Sequence, residues 1–563
     1  MTTNRDRTRK RALRSAAGFA SAGLISLILA VPASAVGQSQ TWNTFLGGPG
    51  WDTGRGAAVD ASGNVYVSGT ADGTWGAPVR AYSAKNDVFV AKLDKNGKLL
   101  WNTFLGGAGI DNGSGITLDP NGGIYVAGTS DLSWGKPVTP LAGGTDAFVA
   151  KLDQKGNILW NTFVGGSGLD QAAGVAVDAD GSARIVGSSD ATWGTPEGEY
   201  WASADGFAAR LDPDGALLWN TFLGGIGEDY ARGVVIGADG YIYAVGTSTD
   251  TWGGAPIRGY TYYSDAWAAK VDEFGRLAWN SFIGGEGYDS GFGIAVDAAS
   301  YVYMTGTSNT SWGDPVVALT SGYDAFATKL DPDGNVVWNT FIGGDGKNFG
   351  KNIFIDEFGY ITVVGYGLGT WQTPLSDIVG GYDIFLCKLD NDGNFDWLTF
   401  VGGTGDDYAE AAASGPDRGI CIVGVSDADW GTPLRPYSAN YDAFVAWVPE
   451  TPEGAGTVEA SAPAQGTVIL PGKSPEFAWE ARGPVAFRLE FSNRADFETP
   501  ALVLPARGGW LATDAYAPAA AEMDSLRRLT VAGQVLYWRV RGRMADGSEI
   551  VSAVRWFIPR ASR

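Results

Sequence analysis

The sequence predicts an all-β chain, a closed ring of seven four-stranded units followed by a β-sandwich. Three observations carry that reading. Tryptophan recurs at Trp42, Trp101, Trp160, Trp219, Trp279, Trp338 and Trp397, with a spacing of 59 residues broken once by 60. Each interval holds four short alternating segments separated by turn residues. Composition agrees: 83 glycines in 563 residues, aromatics at 12% and no G-X-Y period suit many short strands and tight turns.

Residues 1–35 read as a secretory signal. Arg5, Arg7, Arg9, Lys10, Arg11 and Arg14 form a basic end, an apolar run follows from Ala16 to Val31, and Ala33-Ser34-Ala35 is an A-x-A cleavage site. The mature chain is expected to begin near Val36, outside the bacterial cytoplasm, in the periplasm, at the cell surface or in the medium. No later stretch has the ~20 apolar residues of a spanning helix.

The repeat is clearest between Thr53 and Gly107. Gly56 to Asp60 forms a short small-residue strand, and Asn64 to Gly69 alternates as a second. A long loop with Thr74-Trp75-Gly76 and Pro78 leads to a third, Asp87 to Leu93, and Leu99 to Leu105 is the fourth. The turns Asp60 to Gly63 and Asp94 to Gly97 place aspartate where it caps and glycine where φ is positive. The single 60-residue interval comes from Trp252-Gly253-Gly254-Ala255-Pro256, one residue longer than Trp75-Gly76-Ala77-Pro78. Four antiparallel strands per repeat make a β-propeller blade.

The count also predicts how the ring closes. A lone fourth strand, Thr41 to Leu46, precedes the first complete set, while the last set ends at Asp442 to Val448 without one. Pairing the two yields a seven-bladed β-propeller closed by an N-terminal strand, with no open edge.

On WNTFxGGxGxD and LDxxGxxxW, repeated across residues 41–448, the chain resembles the bacterial SBBP family, named for its seven-bladed β-propeller repeat. The resemblance implies an exported propeller and no single activity. Pro449 to Gly456 opens an expected linker, 449–462. Residues 463–560 resemble a fibronectin type III module, on Phe477-Ala478-Trp479, Phe487 to Ser492, Tyr537 to Arg541 and Val554 to Phe557. The alanine-rich piece Ala517 to Leu529 departs from that pattern and reads as a short helix. The resemblance implies a spacer or a second contact module.

Composition excludes much chemistry. Without histidine there is no Ser-His-Asp triad, no imidazole acid or base and no histidine metal ligand. Two cysteines, Cys387 and Cys421, build no zinc ribbon and read as free buried thiols. The formal net charge is −22, and it is more negative once the basic signal is removed, so no nucleic-acid partner is expected.

Four columns of the repeat are candidates for function. The WNTF tryptophan beside LDxxG, as in Ala91 to Trp101, resembles the tryptophan-docking motif of quinoprotein dehydrogenase propellers, which implies an indole locking neighbouring blades. A second tryptophan set (Trp75, Trp134, Trp193, Trp252, Trp312, Trp371, Trp430) reads as wedges pinning the long loops, with sugar stacking as the alternative. Asp52, Asp111, Asp170, Asp229, Asp289 and Asp407, with Asn348 in the sixth copy, follow GGxGx. As a ring at the channel mouth they would take calcium, a hard cation that prefers oxygen; as local caps they would take backbone amides. An asymmetric ligand needs columns that differ between repeats. One reads Arg55, Ser114, Ala173, Arg232, Phe292, Lys351 and Glu410, and the other Trp51, Ile110, Leu169, Glu228, Tyr288, Lys347 and Asp406.

The ligand-binding set expected at the mouth is therefore Trp51, Arg55, Glu228, Arg232, Tyr288, Lys347, Lys351, Asp406 and Glu410. Basic residues near the axis of an acidic protein point to an anionic or sugar-like ligand. The reading is an exported, monomeric, non-enzymatic binding or scaffold protein for an extracellular or envelope protein or polysaccharide. It requires no cofactor, and calcium is the one ion with a candidate site. The alternative is a carbohydrate-active enzyme working through carboxylates, with Glu228, Asp406 and Glu410 at the mouth. No catalytic residue is assigned.

Overall fold

The computed structural model describes residues 41–449, except 321, 357, 358 and 417, and parts of 457–559. The expected signal segment and residues 450–456 lie outside the described residues. No helix among the described residues is long and apolar enough to cross a membrane.

The described residues between 42 and 448 form seven four-stranded antiparallel sheets, a propeller-like repeat fold. Sheet 1 runs in order through Asp52–Val59, Val65–Ala71, Asp87–Leu93 and Leu99–Leu105. Sheets 2 to 6 repeat it, beginning at the strands Asp111–Leu118, Asp170–Val177, Asp229–Ile236, Asp289–Val296 and Asn348–Ile355. Sheet 7 takes Asp407–Ser414, Ile420–Ser426 and Asp442–Val448 from one end and Trp42–Leu46 from the other. The two ends meet antiparallel, with Trp42 opposite Trp447 and Leu46 opposite Ala443. First strands of successive sheets touch in cyclic order, and sheet 7 meets sheet 1.

The expected third and fourth strands coincide with those observed. The first strand begins at Asp52, four residues before the expected Gly56, because Asp52 to Gly54 pairs with Gly69 to Ala71 beyond a bulge. These first strands are rich in glycine and alanine because neighbouring sheets approach closely there. A Cβ on Gly56 would lie 2.9 Å from the Ile116 amide nitrogen of sheet 2. Third strands are buried end to end, as in Asp87–Leu93, since both faces pack against neighbouring sheets.

The two tryptophan sets hold this packing together. Trp101 Nε1 donates to the Gln154 carbonyl at 3.0 Å, Trp160 to Pro213 at 3.0 Å and Trp219 to Glu273 at 2.8 Å, each in the Asp-x-x-Gly turn of the following sheet. Trp42 reaches from sheet 7 to the Lys95 carbonyl of sheet 1. The turn glycine lies under the indole: Gly97 has φ +80, as Gly63 has φ +78, and its Cβ would lie 2.5 Å from Trp42 Cε3. Trp397 of sheet 6 has no such turn to reach, because sheet 7 is closed by the N-terminal strand. The loop tryptophans are buried and meet phenylalanines edge-to-face, as Trp75 meets Phe89 at 5.3 Å and Phe104 at 6.1 Å. They are packing wedges and offer no exposed stacking surface.

The C-terminal part contains two further sheets. One joins Thr457–Ala462, Phe477–Arg482 and Ala515–Tyr516, and its first strand falls within the segment 449–462. The other joins Thr467–Ile469, Arg555–Pro559, Leu536–Arg543, Ala486–Ser492 and Leu502–Leu504, with Glu549–Val551 beside Leu536–Arg543. Phe477, Trp479, Leu489, Phe491, Leu526 and Trp538 share one core. Glu522, Ser525, Leu526 and Arg528 are helical, within the expected Ala517–Leu529 piece.

Candidate functional site

The first strands of all seven sheets line a central cavity of about 870 Å³. Each of these strands carries one register shift: between Gly54 and Gly56, Gly113 and Gly115, Ala172 and Gly174, Ala231 and Gly233, Gly291 and Gly293, Gly350 and Asn352, and Ala409 and Ala411. The residue skipped by the ladder is Arg55, Ser114, Ala173, Arg232, Phe292, Lys351 or Glu410. One entire variable column is therefore the set of β-bulge residues, and all seven line the cavity. A bulge re-aims its side chain and bends the strand, so the repeat delivers one freely variable residue per sheet to the channel wall.

These residues form a continuous chain around part of the ring. Glu410 pairs with Arg55 at 3.1 Å and with Lys351 at 3.1 Å. Lys351 Nζ lies 4.9 Å from the Phe292 ring centre and 5.5 Å from that of Tyr366. The Arg232 guanidinium lies 5.2 Å from the Phe292 ring centre and 5.7 Å from that of Tyr230. Sheets 2 and 3 contribute only Ser114 and Ala173. One arc of the channel is thus charged and aromatic, and the other is small and polar. Arg232 is exposed to the channel yet enclosed by the surrounding wall, and that enclosure lowers its pKa from the usual arginine value.

Of the expected ligand-binding set, Trp51, Arg55, Arg232, Lys351 and Glu410 line the cavity. Glu228, Tyr288, Lys347 and Asp406 instead stand one step outward, at the seams between sheets. Trp51, Glu228, Tyr288 and Lys347 bridge in parallel to Tyr441, Ala204, Ser264 and Tyr323 of the preceding sheet. Asp406 accepts from the Tyr382 amide at 3.0 Å and the Tyr408 hydroxyl at 3.1 Å, and Glu228 accepts from the Tyr230 hydroxyl at 3.2 Å. Tyr288 stacks on Tyr263 at 5.1 Å and Trp51 leans on Tyr441 at 4.7 Å.

Sequence reasoning missed an aromatic cluster. Tyr366, Tyr382 and Tyr408 meet at 5.0–5.7 Å, with Phe349 5.1 Å from Tyr366. Burial first, then the Asp406 contact, raises the Tyr408 pKa. The signal available was the crowding of aromatic residues in copies six and seven, where Phe349, Tyr366, Tyr382, Tyr408 and Tyr441 fall in columns that are mostly polar elsewhere.

Of the two readings of the aspartate column, the hydrogen bonds match the local cap. Asp52, Asp111, Asp170, Asp229, Asp289 and Asp407 are buried at the start of their strands and are not among the residues lining the cavity. Each accepts a backbone amide four residues back, from Gly48, Gly107, Gly166, Gly225, Gly285 or Gly403, at 2.8–3.0 Å. They are caps and form no ring around the mouth.

Each cap has a second buried aspartate beside it, which the sequence reading did not single out although every third strand begins with one. Asp442, Asp87, Asp146, Asp205, Asp265, Asp324 and Asp383 are all buried. Above Gly224, a Cβ would lie 2.8 Å from both Asp205 Oδ1 and Asp229 Oδ2. Burial, reinforced by the neighbouring carboxylate, pushes Asp52, Asp205 and Asp407 up to about 7. In the sixth copy Asn348 Nδ2 donates to Asp324 Oδ1 at 3.3 Å. Cys387 and Cys421 are free and buried, and burial raises both thiols.

Comparison with known proteins supports the repeat. The β-propeller repeat family SBBP matches residues 100–131. The regulatory protein FlaEY of Caulobacter vibrioides is 24% identical over 302 residues, 48% of this chain and 31% of that protein. An uncharacterised WD repeat-containing protein of Acanthamoeba polyphaga mimivirus is 24% identical over 443 residues, 60% of this chain and 32% of its own. The chain thus spans about a third of the length of these relatives. Among solved structures, a copper-bound fungal alcohol oxidase of the AA5 family aligns over 93% of this chain and 100% of its own, at 14% identity and a TM-score of 0.40. The chain is a β-propeller repeat protein.

Proposed function

We propose that this β-propeller repeat protein is a non-enzymatic binding or scaffold protein of the bacterial exterior. It would be a seven-bladed propeller closed by its N-terminal strand and followed by a fibronectin type III-like sandwich. The signal-like segment at residues 1–35 supports export to the periplasm, cell surface or medium. The sandwich serves as spacer or second contact, and the protein acts as a monomer without a required cofactor. Its partner is an extracellular or envelope protein or a polysaccharide.

The observation that carries this reading is the bulge ring. A structural repeat has no need of different residues at one position in every copy, whereas an asymmetric ligand does. The carboxylates nearest the channel also favour binding over hydrolysis. Glu410 is engaged by two cations, and Asp406 and Glu228 by tyrosine hydroxyls at the seams. This reading requires no calcium; each cap aspartate gives one carboxylate oxygen, Oδ2, to a backbone amide, and calcium is the one ion proposed for the column.

Thermal unfolding of the full chain against a panel of bacterial and plant polysaccharides, calcium and a chelator tests the proposal. A saturable rise with a glycan supports it. A rise with calcium alone would return the aspartates to a metal role. No rise with any glycan, together with no protein retained from an envelope extract, would refute it.

A further inference from the structure

The ionisable groups of the channel are unequally matched. Arg55, Lys351 and Arg232 face Glu410 and Asp72 in the lining. Glu410 serves both Arg55 and Lys351. Asp72 lies in the connection after the second strand of sheet 1, three sheets from Arg232. Among the described residues no carboxylate pairs with Arg232 and none accepts a hydrogen bond from it. The Tyr230 and Phe292 rings flank its guanidinium at 5.7 and 5.2 Å. A cation with open N–H donors thus stands on a channel wall in a chain of net charge −22.

The wall beside it has a second character. Sheets 2 and 3 present Asn112, Ser114, Thr129 and Gln171, all small or amide side chains that exchange hydrogen bonds with hydroxyls. The bulges matter too. A peptide adds to a sheet along an unbroken edge, and every first strand here is interrupted at its bulge, where strand addition fails. The cavity, at about 870 Å³, falls in the size range of small-ligand sites.

Resting on the binding reading above, we propose that the channel takes an acidic saccharide, with a uronate carboxylate held by Arg232 and the sugar hydroxyls facing the Asn112–Gln171 wall. The planar guanidinium fork matches a carboxylate in two parallel hydrogen bonds, and the adjoining rings restrict its motion. Ala173, in the neighbouring sheet, leaves room for the ligand where a longer side chain would fill the channel.

Calorimetry of the full chain tests this with oligosaccharides of galacturonate, glucuronate and mannuronate, their methyl esters, and neutral cello- and xylo-oligosaccharides. At least one acid is expected to bind, with its ester more than tenfold weaker. Arg232→Gln is expected to lower affinity for that acid at least tenfold while leaving the unfolding temperature unchanged. Ala173→Glu, which sets a carboxylate beside the site, is expected to do the same by repulsion. Equal binding of acid and ester, or wild-type affinity in Arg232→Gln, would overturn the inference while leaving the binding reading standing. Binding of poly-glutamate in preference to every uronate would assign the site to a protein partner. Silence from acids, esters and neutral sugars alike would overturn both.

Discussion

Asp407→Asn tests the electrostatics of the paired aspartates. Asp407 and Asp383 are buried and share the space above Gly402, where a Cβ would lie 2.5 Å from Asp383 Oδ1 and 2.8 Å from Asp407 Oδ2. Burial is the main cause that pushes Asp407 from 3.8 up to about 7, opposed by the Ser426 hydroxyl and the Gly403 amide and reinforced by Asp383. The folded state therefore holds a proton that the unfolded chain releases near pH 4. Its contribution to stability is complete below that pH and is lost as pH rises through about 7. A shift of this size corresponds to about 4 kcal/mol of folding free energy at pH 8. Asparagine recovers part of it, as Asn348 already does toward Asp324 at 3.3 Å. The expected gain is about 1–3 kcal/mol at pH 8, a Tm rise of roughly 2–6 °C, and no gain at pH 5. Scanning calorimetry of both proteins at the two pH values, with chelator present, reads this out. An equal effect at both pH values, or a loss at pH 8, would refute the argument.

Other outcomes follow from the same contacts. The wild-type Tm is expected to rise as pH falls from 8 to about 5, because six cap aspartates are raised to about 6–7. Burial is opposed at Glu490 by Arg541 and Arg539, which lower its pKa, so its contribution is lost on further acidification. Trp219→Phe removes the 2.8 Å bond to the Glu273 carbonyl and is expected to cost about 1 kcal/mol in denaturant unfolding, with a smaller cost for Trp397→Phe, whose Nε1 has no partner among the described residues. Glu490→Ala leaves the Arg539 and Arg541 guanidiniums without the carboxylate now 2.8 and 2.6 Å away, and is expected to cost about 3–5 kcal/mol in the unfolding of the C-terminal sheets. Glu410→Gln frees Arg55 and Lys351, so calorimetry is expected to show several-fold tighter uronate binding.

The repeat was legible because its signals are local and multiplied. Asp87–Leu93 and Leu99–Leu105 were placed to the residue, since alternating apolar runs between aspartate-glycine turns have one reading. The closure between Trp42–Leu46 and Asp442–Val448 followed from the unmatched strand at each end. The first strands were cut short because Asp52-Thr53-Gly54-Arg55 has no alternation. A bulge shifts the period by one and a glycine erases it. The same bulge column was still found, because it varies where the repeat does not. The aspartate pairing was not legible, since Asp87 and Asp111 lie 24 positions apart and meet only through sheet packing. Nor was the Tyr366–Tyr382–Tyr408 cluster, which joins two sheets.

The central claim is that the bulge ring binds a ligand and leaves it chemically intact. It is tested most directly by incubating the full chain with the saccharide that gives saturable heat and weighing the recovered saccharide by mass spectrometry. The account predicts stoichiometric binding, weakened by Arg232→Gln, and a saccharide recovered at its original mass. Shortened or unsaturated products, formed by wild type and absent with Glu410→Gln, would contradict it and make the channel a catalytic site.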